Sequence, residues 1–255
     1  MSTALAAVLA AMFGAIIGSF LNVVIWRLPR GESIVSPGSR CPECGEPVKP
    51  YDNVPIVSWL LLRGKCRHCA HRISSRYPLV EGLTAVLMAL VPIFLGVDSD
   101  IWIGFAFVLL LVPITFIDLD HRIIPNKLTL LGAAVGIVLV AVFKTDDLAE
   151  HLIAAVAAFL FLFVAAIAYP AGMGMGDVKL AGVMGIFLGR SVAPAMLIAL
   201  LSGTIVGVAI IARKGAAEGR KTAVPFGPFL ALGSVVALYV GDDIVQWYLD
   251  TFANG

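Results

Sequence analysis

The chain has 255 residues, 60% of them hydrophobic and only 14% charged, with a net charge of +1. Water-soluble domains carry about a quarter charged residues, so this balance, with a mean hydropathy of +0.96, excludes an ordinary soluble domain and describes an all-α polytopic membrane protein. The net charge itself says nothing about partners, and no nucleic-acid partner is expected.

Apolar runs of the roughly 17–25 residues that cross a ~30 Å hydrocarbon core fall at 4–26, 79–97, 101–117, 127–143, 150–170, 178–190, 192–212 and 224–241. About eight transmembrane helices are expected. The sixth run is short and glycine-rich, and seven crossings result if it merges with the seventh or if one run is re-entrant. The first run is preceded by no Lys or Arg and followed by Arg27, the reverse of a signal peptide, and is read as transmembrane helix 1 (1–26). A polar insert (27–78) follows, and then a helical membrane core (79–255).

Basic residues set the orientation. The insert holds Arg27, Arg30, Arg40, Lys49, Arg63, Lys65, Arg67, Arg72 and Arg76. With the insert in the cytoplasm, Arg122, Lys127, Lys179, Arg213, Lys214, Arg220 and Lys221 fall on the same side, leaving only Lys144 and Arg190 outside. Both termini then face outward.

The insert contains all four cysteines, as Cys41-Pro-Glu-Cys44 and Cys66-Arg-His-Cys69. Two Cys-x2-Cys knuckles place four thiolates at the corners of a tetrahedron, the geometry of structural zinc. Four protein ligands leave no open coordination position. Two disulfides or four free thiols are the other readings, and a cytoplasmic loop disfavours disulfides. His68 and His71 are competing ligands. Some fifty residues bury little core, so a metal staple would supply the missing stability.

Carboxylates beside apolar spans are costly and mark function. Asp118 and Asp120 end the third run in Phe-Ile-Asp-Leu-Asp-His-Arg, and Asp177 follows Gly172, Gly174 and Gly176 in a glycine-rich stretch. All three lie on the cytoplasmic side of the expected topology. Two carboxylates brought together share a proton, so one can serve as base on a water while the other donates to a carbonyl. Taken singly, each has a plainer reading: an interfacial anchor for Asp118 or Asp120, and an N-cap of a helix beginning at Val178 for Asp177. The glycines serve either close approach to a peptide or close helix packing. Lys179 hydrogen-bonds near the pair or snorkels to the surface. Glu81 attracts a basic substrate or caps its helix as a first-turn acid. His121 and Arg122 read as interfacial charges. A proton relay in a coupled transporter is the alternative function, and a non-enzymatic scaffold docking through the insert is a third.

Five stretches in order resemble the type IV prepilin peptidases, membrane aspartic proteases with a Gly-x-Gly-Asp signature. They are GSFLNVVIWRLPRG (18–31), the cysteine insert (39–81), IDLDHRIIPN (117–126), GMGDVKL (174–180) and PFGPFLALG (225–233). The resemblance implies cleavage of a basic leader from type IV prepilins or pseudopilins, the subunits of pili and type II secretion systems. The cut would fall after a Gly at the cytoplasmic face of the bacterial inner membrane. It implies N-methylation of the new N-terminus by S-adenosylmethionine. It implies Asp118 and Asp177 as the catalytic pair, with Asp118 preferred to Asp120 because it precedes Arg122 by four residues and Pro125 by seven. Gly174, Gly176, Lys179 and Glu81 are then candidate substrate-binding residues. Cys41, Cys44, Cys66 and Cys69 are the candidate zinc ligands.

Overall fold

The computed structural model describes residues 2–169, 173–215 and 224–252. Gly172, Arg220 and Lys221 lie outside them. Among the described residues the regular structure is helical, with two isolated β-bridges in the insert. The chain divides into two compact units, Met1–Val97 and Asp98–Gly255.

The first unit pairs two long helices, α1 (Thr3–Arg27) and α3 (Arg76–Phe94), with the insert between them in sequence. Ser2 caps α1 by accepting the Leu5 N–H. The buried face of α1 carries Ala6, Ala10, Gly14 and Gly18, one small residue per turn. Lipid is as apolar as any side chain, so helices in a bilayer associate through close packing rather than hydrophobic burial. That packing is tight here: a Cβ on Gly18 would lie 2.8 Å from the Glu81 Cα, and one on Gly14 2.9 Å from the Met88 Cβ. The larger residues of α1, among them Leu9, Met12 and Phe13, are exposed, as lipid-facing side chains are. Asn22 closes the seam by donating to the Tyr77 carbonyl at 3.2 Å.

Within the insert, α2 (Val57–Leu61) is a short helix entered through Ile56 at φ 62°. Such a conformation is strained for a β-branched residue. A buried carboxylate holds it: Glu81 of α3 accepts the Ile56 N–H at 2.7 Å. Trp59 of α2 donates to the Ile73 carbonyl at 3.1 Å, and Arg67 forks onto Asp52. The Arg67 guanidinium holds the Asp52 carboxyl below its usual range.

The second unit contains α4 (Ile101–His121), α5 (Asn126–Phe143), α6 (Leu148–Ala168), α7 (Met175–Leu188), α8 (Val192–Lys214) and α9 (Gly227–Phe252). Helix α4 packs against α5, α7 and α9, while α6 lies along α7 and α8 along α9. Phe107, Leu111, Ile114 and Ile117 of α4 are fully buried, and Phe107 stacks on Phe187 of α7 with ring centroids 4.6 Å apart. At the end of the unit away from Asp118, Lys144 pairs with Asp100 and Arg190 with Asp242. These are the two basic residues that the expected topology leaves outside.

Seven stretches of the described residues are long and apolar enough to cross a membrane. The sixth, Met175–Lys214, spans the sixth and seventh expected crossings. A 3-10 turn at Gly189–Ser191 splits it into α7 and α8. At 14 residues α7 rises only about 21 Å at ~1.5 Å per residue, short of a full crossing. Three helix limits differ from those that the apolar runs give. Helix α4 continues to His121, so Asp118 lies in its last turn rather than after it. Helix α7 begins at Met175, so Asp177 is its third residue and not its N-cap. Glu81 is likewise not a first-turn acid, because α3 starts at Arg76 and Glu81 is its sixth residue.

Candidate active site and metal centre

The metal centre is built from two near-identical knuckles. In the first, the Cys41 N–H donates to the Glu46 carbonyl and the Gly45 N–H to the Cys41 carbonyl; in the second, the Cys66 N–H donates to His71 and the Ala70 N–H to Cys66. The bridges Arg40–Pro47 and Lys65–Arg72 close the two loops in register. Each turn needs a residue in the left-handed region after its second cysteine, supplied by Gly45 at φ 70° and by Ala70 at φ 55°. Glycine meets that demand freely and alanine at a cost.

The four Sγ atoms lie within 4.8 Å of one another. A tetrahedron with Zn–S bonds of ~2.3 Å has edges of about 3.8 Å, the Cys41–Cys69 sulfur separation. That distance is nearly twice the ~2.05 Å of a disulfide bond, and all four cysteines are unpaired. His68 and His71 face Glu46 and Glu43 instead. Backbone N–H groups of Cys44 and Glu43 aim at the Cys41 sulfur and lower its pKa to about 7, and those of Cys69 and His68 lower Cys66. The fourth thiol, Cys69, is pushed up to about 12: although the His71 N–H favours its thiolate, desolvation and three neighbouring sulfurs outweigh it. Four sulfurs within this distance could hold a metal ion, and the donor set fits zinc.

The second site lies in the other unit. Asp118 is only 4% exposed and Asp177 9%. Asp120, His121 and Arg122 are exposed. Of the two candidates on α4, only Asp118 points into the packed interior. Arg122 ends α4 in the left-handed conformation, its N–H donating to the Asp118 carbonyl. The Asp118 Oδ2 accepts the Gly227 N–H at 2.9 Å, from the first residue of α9. The Asp177 Oδ2 accepts the N–H of Gly174, the N-cap of its own helix, at 3.2 Å. This is the carboxylate half of a capping box, and Gly174 has no side chain to return the bond. Both carboxyl groups are buried on helices that pack together, α4 and α7.

The α4–α5 turn is keyed to α7 beside this pair. A Cβ on Gly176 would lie 2.9 Å from the Ile124 Cβ, so only glycine admits the turn there. Lys179 donates to Asn126 Oδ1 at 2.8 Å, joining α7 to the start of α5. Gly227 and Asn126, which contact Asp118 and Lys179, lie within the quoted stretches, yet the sequence reading singled out neither. The signal available was a Gly-Pro pair opening an apolar helix and an Asn directly after Pro125.

Residues 12–95 match the Bacterial Peptidase A24 N-terminal domain, and residues 105–211 match the Type IV leader peptidase family. The chain is 35% identical over 271 residues to the prepilin leader peptidase/N-methyltransferase of Aeromonas hydrophila, covering 94% of this chain and 93% of that protein. It belongs to the type IV leader peptidase family. Relatives with the same description in Bacillus subtilis and Pseudomonas aeruginosa are each 34% identical, covering 93% of this chain and 96% and 91% of theirs. No solved structure gives a significant match. The four cysteines fall within the first matched region and both buried aspartates within the second. As a family member with several apolar helices among the described residues, the chain is a multi-pass protein of the inner membrane.

Proposed function

We propose that Asp118 and Asp177 are the catalytic pair of a membrane-embedded aspartic endopeptidase that removes the leader from prepilins or pseudopilins. The observation that carries this reading is the burial of two carboxyl groups on packed helices in the unit that matches the leader peptidase family. One carboxylate takes a proton from water as its oxygen adds to the scissile carbonyl. The other carboxyl gives its proton to the carbonyl oxygen. Collapse of the tetrahedral species breaks the C–N bond, the leaving amine takes up a proton, and the pair returns to its starting state. A glycine before the cut lets the substrate helix unwind locally. Gly174 is exposed beside Asp177, and with no side chain it leaves room for an extended peptide.

The insert lies in the cytoplasm with both termini outward, a reading supported by the basic residues concentrated in and around it. Zinc is the metal that the four cysteines hold, and it supplies structural cohesion rather than chemistry. The relatives' description as N-methyltransferases supports a second step that uses S-adenosylmethionine. A cavity of about 410 Å³ in the first unit, lined by Ser19, Phe20, Ser39, Asn53 and Val54, falls in the size range of small-molecule sites. Its hydroxyl and amide groups suit the hydrogen-bonding groups of a nucleoside. This cavity would hold the methyl donor, which supplies the methyl group.

The deciding experiment replaces Asp118 and Asp177 singly with Asn and follows cleavage of a prepilin-like peptide by the purified protein in detergent. Both variants should be inactive; two variants that cut at the wild-type rate would sink the assignment. For the donor site, Asn53→Ala should weaken S-adenosylmethionine binding measured by calorimetry about tenfold, the loss of one good hydrogen bond, with leader cleavage unchanged. Unaltered donor affinity would remove the cavity from the reading.

A further inference from the structure

We infer that Gly227 is a positioning residue for Asp118, fixing its carboxylate for cleavage through a backbone N–H. The inference rests on the reading of Asp118 as catalytic. Gly227 lies beyond the region that matches the leader peptidase family, which ends at residue 211.

Three observations converge on it. Asp118 occupies the last turn of α4, the end of a helix where a negative charge is disfavoured. The positive end of α9 faces it: the Gly227 N–H reaches Asp118 Oδ2 at 2.9 Å, and both residues are buried. The opening of α9 also leaves that N–H as the one directed at the site. Helix-opening N–H groups lack intrahelical partners, but Pro228 has none to offer and the Phe229 N–H turns back to the Phe226 carbonyl. Finally, the approach excludes any side chain at 227. A Cβ there would lie 2.7 Å from Asp118 Oδ2 and 3.1 Å from its Cγ. Glycine is required by contact and not by backbone conformation, since Gly227 is not among the residues with positive φ. With Oδ2 held, Oδ1 is the oxygen left for water and substrate.

The test measures peptide cleavage over a range of pH for Gly227→Ala and Pro228→Ala. Gly227→Ala should lower kcat on the order of 10²-fold, the scale of a 1 Å misplacement in an active site. Its KM should stay within about threefold, because the residue touches Asp118 rather than the substrate. Its kcat/KM–pH profile should move, which a mere loss of folded enzyme would not cause. Pro228→Ala keeps the glycine and its N–H, and should stay within about threefold of wild type. A wild-type kcat for Gly227→Ala, an unmoved pH profile, or an equal loss in Pro228→Ala would overturn the inference. If Gly227→Ala fails to fold, hydrogen exchange decides. Asp118→Ala should speed exchange at the Gly227 amide, and an unchanged rate would refute the hydrogen bond's role. The two readings fail separately: an active Asp118→Asn sinks the catalytic pair, whereas an inactive Asp118→Asn with an unimpaired Gly227→Ala sinks only this inference.

Discussion

The two units hold their polar groups by opposite means. In the insert, the backbone bonds shaping each cysteine knuckle join near neighbours in the chain, such as Cys41 to Glu46 and Cys66 to His71. In the second unit, the partner of Asp118 is 109 residues away in Gly227. The insert has little apolar interior: Cys41, Ser58 and Gly64 are its buried residues. The second unit has a true interior in α4, which is buried along most of its length. A site built from local turns needs an external staple to bring its turns together, and four clustered thiols invite a cation to do so. A site built from distant helix ends needs the whole bundle, and no single bond secures it.

That contrast can be tested by breaking each side separately. The largest effect belongs to Asp118→Asn and Asp177→Asn, each of which should reduce cleavage by about 10⁴-fold or more, as loss of a catalytic group does elsewhere. Zinc content measured by elemental analysis should stay at about one ion per chain. Loss of zinc in these variants would show that the units are not independent. Next comes Cys41→Ser with Cys44→Ser, which removes two of four ligands. Elemental analysis should then find no bound zinc, and limited proteolysis should cut within 39–73, where wild type resists. A protected, metal-free insert would mean that its few side-chain contacts suffice to fold it. The smallest effect is that of Glu81→Ala. It leaves the Ile56 N–H unsatisfied and the strained entry to α2 unsupported, costing about 1–3 kcal/mol. Hydrogen exchange across 54–62 should quicken, whereas Glu81→Gln, which keeps an acceptor, should change it less. Equal exchange in all three proteins would show that Glu81 does not anchor the insert.

Much of this architecture is legible residue by residue. The apolar runs locate the helices, because every backbone group must be satisfied within a span and only a helix does that. Helix ends are harder. Asp118 and Asp177 each looked like residues just outside a helix, since a charge ends an apolar run on paper. In three dimensions both sit inside helical turns, because the bundle, Gly227 and Gly174 supply what the carboxylates need. The short α7 was visible as a glycine-rich run. Its separation from α8 was visible too, since the apolar runs 178–190 and 192–212 divide beside Arg190, where Gly189–Ser191 turns the chain.

The choice between Asp118 and Asp120 shows where sequence runs out. A resemblance ranked them, but only packing separates them: two residues apart on a helix, they face different directions, one buried and the other exposed. The metal ligands are the reverse case. Their spacing of two residues within each knuckle confines each sulfur pair to one turn, so the centre follows from local chain geometry. The sequence by itself therefore determined the membrane class, the cysteine centre and the identity of the acidic candidates, since all of these rest on composition or short-range spacing. Tertiary structure alone decided that Asp118 and Asp177 are both buried in the helix bundle and that Gly227 closes against Asp118, because contact between residues 50 or 100 positions apart is set by helix packing and leaves no local trace.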